Sequence, residues 1–181
     1  MYTGNNKIAL QSKKEIQNSL LILLEKKDYN SISISELCKK AQVSRQTFYT
    51  LYKTKENIVI DLFNNVLYNP NIPKREDGKF NVEKYYCYFS NYLIANYKVL
   101  KLFEKNNLLH YLYSTLYSSI IDFPNYFTNY DDKTKQYIAS FIASGYMAIT
   151  YSFLANNGTD NSDYLIEKMN FLFSGLYLNK N

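Results

Sequence analysis

The chain has no tryptophan, a single histidine, two cysteines, three prolines and five glycines in 181 residues. Each scarcity excludes something. One histidine, His110, set between Leu109 and Tyr111, is too few for a histidine-based metal site, and no Ser/His/Asp set can be assembled around it. Cys38 and Cys87 stand alone, without the paired spacing of a zinc ligand set; they read as reduced thiols, with Cys38 a small core residue beside Leu37 and Ala41. No glycine-rich loop is present to cradle a phosphate. Glu83, Glu104 and Asp122 are scattered acids rather than a carboxylate pair. Neither an enzyme nor a cofactor or metal protein is expected. Strand-like alternation, internal repeats and low-complexity tracts are also missing, which leaves an all-α chain.

Charge is absent from one long stretch. No Asp, Glu, Lys or Arg occurs from Gln136 to Thr159, and Tyr137–Ala155 is long enough to span a bilayer. It carries Ser140, Ser144, Thr150, Ser152, Gly145 and three tyrosines, a poor lining for lipid, so a helix buried on every side is expected. The N-terminus lacks an apolar signal core, and a cytoplasmic protein without membrane contact is expected.

What is present is unevenly placed. The net charge is +5, and all of it lies in residues 1–60, which hold 10 Lys/Arg against 5 Asp/Glu; residues 61–181 hold 11 of each. Aromatics divide the other way, with 5 Tyr or Phe in the first 60 residues and 26 after them. A basic module suited to a phosphate backbone is joined to a neutral, aromatic module. We therefore expect two domains, at 1–60 and 61–181.

The basic module has internal punctuation. Ile16, Leu20, Leu23 and Leu24 form an apolar stripe on a first helix from about Ala9 to Lys27, with Ser12 and Glu15 a candidate capping box. Ser33 and Glu36 form a second S-x-x-E box that starts a short helix. The break at Gln42-Val43 fits only a tight turn. Ser44 then caps a helix that exposes Arg45, Gln46, Thr47 and Tyr49 and buries Phe48. Two short helices so joined place the second in a DNA major groove. Arg45, Gln46 and Thr47 are the candidate base contacts, with Gln46 suited to adenine and Arg45 to guanine. Ser33 and Ser44 complete the near face, with Tyr49, Lys53 and Lys55 as phosphate contacts. A fourth helix, about Lys55 to Tyr68, shows Ile58, Leu62, Phe63 and Val66 on one side.

Beyond it, Asn69–Phe80 holds two prolines and a glycine and reads as a linker. Helices follow at roughly 82–96, 97–105, 107–122, 131–157 and 163–178. Pro124 closes the third of these, Asn157-Gly158 stops the fourth and Ser162-Asp163 starts the last. Tyr85, Phe89, Tyr92, Phe103, His110, Tyr113 and Tyr117 are candidates to line a small-molecule pocket.

Ala41, Val43, Ser44, Thr47, Phe48, Tyr49, Tyr52, Lys55, Glu56 and Ile58 stand at the offsets of the TetR family of bacterial transcription regulators, which residues 8 to 65 closely resemble. Gln42 departs from the pattern, which often has Gly there; a left-handed Gln costs roughly 1 kcal/mol. The resemblance implies a head of three helices and a helical body, about nine helices in all. It implies a homodimer paired through the last two long helices, where Ser140, Ser144, Ala148 and Ser152 form a small-residue stripe. It also implies a double-stranded operator with inverted repeats and a repressor released by a small-molecule effector. The N-terminal segment and last helices further resemble a branch that includes regulators of dihydroxyacetone metabolism. There, activation with a partner protein is one alternative. A helical ligand-carrier or interaction protein, whose basic head meets some other acidic surface, is the competing class.

Overall fold

The computed structural model of the chain describes residues 6–67, with side chains as far as Asn64, then 81–121, 127 and 129–175. The expected linker at 69–80 and Pro124 lie outside the described residues. Among those described there are nine α-helices, one 3-10 turn and no strand. They are α1 (Lys7–Leu24), the 3-10 turn Tyr29–Ser31, α2 (Ile34–Ala41), α3 (Arg45–Leu51) and α4 (Lys55–Leu67). The remainder are α5 (Val82–Ala95), α6 (Tyr97–Lys105), α7 (His110–Ile121), α8 (Asp132–Ala155) and α9 (Ser162–Ser174).

The helix ends follow side-chain chemistry. Asn6, not the expected Ser12–Glu15 pair, caps α1: its side chain accepts from the Ile8 amide. Six more helical residues thus precede Lys13. Asn81, Asp131 and Asn161 cap α5, α8 and α9 in the same way, each satisfying an amide that the helix leaves open. The third body helix begins at His110 rather than 107 because Asn107 is left-handed (φ 57°). That conformation ends α6, with the Leu108 amide bonded back to the Phe103 carbonyl at 2.8 Å. Asn157 and Gly158 (φ 55° and 68°) end α8, as the Asn-Gly pair suggests. At Gly158 an added Cβ would meet the Tyr97 ring at 2.4 Å, so glycine is required for space as well as conformation.

The chain divides into two compact units. The first runs through Asn65 and takes in Leu102–Tyr111; the second is Val66–Lys101 with Leu112 onward. The first has α1 packed on α2 and α3. Its core of Ile16, Leu20, Leu24, Ile32, Leu37, Phe48, Ile58 and Phe63 is fully buried, so the stripe read on α1 faces inward. Within it Phe103 meets the Phe63 ring edge-on at 5.2 Å, and Asn106 Oδ1 accepts the Tyr29 amide at 2.9 Å.

In the second unit α5 and α8 pack on α9. Its centre is aromatic: Phe89 and Tyr146 lie 4.7 Å apart, Tyr85 meets Tyr146 edge-on at 5.2 Å, and Phe173 lies 4.9 Å from Tyr146. Gly145 admits Phe173, since a Cβ there would stand 2.8 Å from the ring.

Helix α8 differs from the expectation of burial on every side. It is long and apolar enough to cross a membrane by length and composition, with 44% of its apolar window buried. One side is core, through Ala139, Ala143, Tyr146, Met147, Ile149, Thr150, Phe153 and Leu154. The other is open: Tyr137 (69% exposed), Phe141 (66%) and Tyr151 (47%) stand with exposed Ser144, Ala148 and Ser152. The uncharged sequence suggested burial all round. A single copy of the chain buries only one face.

Candidate DNA-reading interface

The interface is built from α2 upward. Ser33 Oγ accepts the Glu36 amide at 3.2 Å, starting α2. The Glu36 carboxylate does not complete the reciprocal half of the box shown by its spacing; it pairs with Lys27. Gln42 ends α2 in the left-handed conformation (φ 55°, ψ 38°), and the Val43 amide returns to the Cys38 carbonyl at 3.0 Å. This six-to-one bond closes the turn tightly, as in helices that end on glycine. Cys38 is buried within it, and burial holds its thiol above the usual pKa against the opposing pull of Arg45.

Ser44 Oγ then accepts the Thr47 amide at 2.9 Å and lies 2.8 Å from the Thr47 hydroxyl. Thr47 is thus half-buried and partly committed to the cap, while Arg45, Gln46, Tyr49 and Thr50 are exposed. Phe48 and Leu51 are buried beneath them. A helix of 7 residues holds itself poorly, so its orientation comes from this buried side. Tyr49 crosses the Phe48 ring edge-on at 5.5 Å and remains 46% exposed.

Two neighbouring lysines then part company. Lys53 is exposed. Lys55, expected at a phosphate, has its ammonium turned into the protein, donating to the Ile32 carbonyl at 2.6 Å and the Tyr29 carbonyl at 3.0 Å. It also lies 4.5 Å from the centre of the Tyr29 ring. Burial lowers its pKa, with Glu56 pulling the other way and Lys27 adding to the depression. The reason is geometric: the first turn of α4 brings Lys55 to the end of the 3-10 turn, where the Tyr29 carbonyl also accepts the Ile32 amide at 3.1 Å. The Tyr29 hydroxyl donates to Glu56 at 3.2 Å, and burial, reinforced by that carboxylate, pushes the phenol well above its ordinary range.

A second buried cluster was not anticipated. Asp61, 3% exposed on α4, receives Lys13 at 2.9 Å, Gln17 at 2.9 Å and the Tyr52 hydroxyl at 2.6 Å, all on Oδ2. The available signal was an acid inside the stripe of Ile58 and Phe63, at a position that faces inward.

The candidate ligand residues do not form one cluster within either unit. Tyr85, Phe89 and Tyr92 are buried together in the second unit, where burial raises both phenols well above their usual range. Tyr113 and Tyr117 stack at 6.3 Å, half-exposed, on α7. Phe103 and His110 belong to the first unit. There His110 is exposed, its Nδ1 2.9 Å from the Asn107 carbonyl and its ring 4.0 Å from Tyr111. Among the described residues no group of three or more His, Cys, Asp or Glu stands together.

A capped, left-handed turn between two short helices, with exposed Arg and Gln opening the second, defines a helix-turn-helix DNA-binding protein. Residues 20–62 match the model for bacterial regulatory proteins of the tetR family. Residues 20–62 thus carry the DNA-binding head of a TetR-type regulator. No curated protein matches it in sequence. Two solved structures share its fold. Lin0861 from Listeria innocua is 14% identical with a TM-score of 0.78, over 97% of this chain and 96% of that one. The dihydroxyacetone kinase operon activator DhaS is 19% identical with a TM-score of 0.56, over 92% and 97%.

Proposed function

We propose that the chain acts as a cytoplasmic homodimer that reads an inverted-repeat operator and represses transcription until an effector is sensed by the body. The observation that carries this is the open face of α8. Tyr137, Phe141, Ser144, Ala148 and Tyr151 are exposed at spacings of four, three, four and three residues, the period of a helix seam that another helix covers. A second copy covers it by symmetry and presents two α3 helices to two half-sites. Exposed Arg45 and Gln46 are the base-reading pair, with Tyr49 and Lys53 on phosphate.

The sensing input has two readings. A small molecule would enter among Tyr85, Phe89 and Tyr92 by displacing rings. The packing of Tyr85 and Phe89 on Tyr146, with Tyr92 against Phe89, favours the other, in which a partner protein docks on the body. In either case the input acts only by preferring one conformation of the dimer, so operator and effector weaken each other by the same factor.

The test is selection from a random duplex library, followed by titration of the recovered duplex. An inverted repeat is expected. Arg45→Ala should weaken that duplex about 5- to 150-fold and relax preference at one position per half-site. Recovery of no preferred sequence returns the chain to the interaction-protein class. A thermal-shift screen of aromatic compounds separates the two inputs: hits whose binding is weakened by operator support the small molecule.

A further inference from the structure

The Asp61 cluster lies behind the reading helix, and the DNA contacts do not use it. Lys13 and Gln17 sit one turn apart on α1, Asp61 is on α4, and Tyr52 is the residue that ends α3. One carboxylate oxygen therefore gathers three elements at a point next to Lys53. We propose that Asp61 is a positioning residue for DNA recognition, fixing the C-terminal end of the reading helix through the Tyr52 hydroxyl. The inference rests on the DNA-binding reading above and adds to it the group that sets the pitch of α3.

Three observations support it. The Tyr52 ring is fully buried and lies 6.2 Å from Phe48, the fully buried ring of α3. Its hydroxyl thus fixes an axis that apolar packing alone leaves free to slide. The Lys13 ammonium lies 5.7 Å from the centre of that ring as well as on Asp61, so the phenol is held at its face and at its oxygen. Finally, a buried ion pair contributes little net stability compared with apolar residues of the same volume. What it gives here is directional: three donors converge on one acceptor from defined bearings.

The experiment uses the full chain as wild type, Tyr52→Phe, Asp61→Asn and the double variant. The probes are the duplex that the wild type selects from a random library and a scrambled duplex of equal length. Tyr52→Phe removes one oxygen and leaves the Asp61–Lys13 pair, so it is the variant that folds if Asp61→Asn does not. It should weaken the selected duplex about fivefold, the worth of one ordinary hydrogen bond, and leave the scrambled duplex unchanged. The double variant should discriminate no worse than the poorer single one, because both act through one contact. Two outcomes overturn the inference: discrimination by Tyr52→Phe equal to wild type, or equal proportional loss on both duplexes, the sign of a role in stability alone. A wild type that selects no duplex overturns the DNA-binding reading, and with it this one.

Discussion

The two units solve opposite problems with the same kind of element. The first builds its reading surface on two short helices, 8 and 7 residues in α2 and α3, too short to persist unaided. It is held by polar contacts at their ends: caps at Ser33 and Ser44, Lys55 on two carbonyls, Asp61 on three donors. The second contains the 24-residue α8 and centres on rings. The lesson lies in where charge goes. Of the ten cations in residues 1–60, Lys13, Lys27 and Lys55 are engaged within the unit. A basic composition overstates the number of charges that reach DNA.

The comparison breaks hardest at α8. Ala148 is exposed in a single copy, so Ala148→Arg should leave the subunit folded. Placed between two copies, its charge is unpaired, at a cost of several kcal/mol. Sedimentation should report a monomer with unchanged helical circular dichroism, and operator affinity should fall at least about 100-fold. A folded variant that remains dimeric would move the interface elsewhere.

The first unit is sharpened by separating its lysines. Lys53→Ala should reduce the salt slope of DNA binding by about 1 with no change in melting temperature. Lys55→Ala should do the reverse, lowering stability by about 1–3 kcal/mol through the abandoned Ile32 carbonyl. A Lys55→Ala protein with normal stability and a flattened salt slope would restore the ammonium to phosphate.

The smallest effect expected is a pH dependence. Burial works against the Glu56 charge, but hydrogen bonds from Thr54, its own backbone and Tyr29, with Lys55 nearby, outweigh it and lower the pKa. A carboxyl whose folded pKa is depressed contributes fully above its unfolded value, about 4.3, and loses that contribution as pH falls through the folded value. The melting temperature of the wild type should therefore fall more steeply across this acid range than that of Glu56→Gln. Parallel curves would show that the Tyr29 and Thr54 contacts do not favour the charged form.

Much of the fold was legible because it rests on local rules. The caps at Ser33 and Ser44, the inward Phe48, the left-handed Gln42 and the Asn-Gly stop are written within a few residues of where they act. Asp61 and Lys55 were not legible in that way. Two of the three Asp61 partners lie 44 and 48 residues off and those of Lys55 23 and 26, and a lysine in a first helical turn has the same spacing whether it faces phosphate or carbonyl. Helix α8 was only half legible, for a third reason. Absence of charge marks burial but does not say by which molecule.

That open face has a consequence for how much protein must be present. If each stripe is covered by its twin, folding free energy includes an association term, and the melting temperature rises with the logarithm of subunit concentration. A cell holding few copies would then hold a weaker regulator, and also a less durable one, since subunits separated by dilution expose Tyr137, Phe141 and Tyr151 to proteases and to one another. Pairing of this kind would set a threshold of expression below which neither subunit persists.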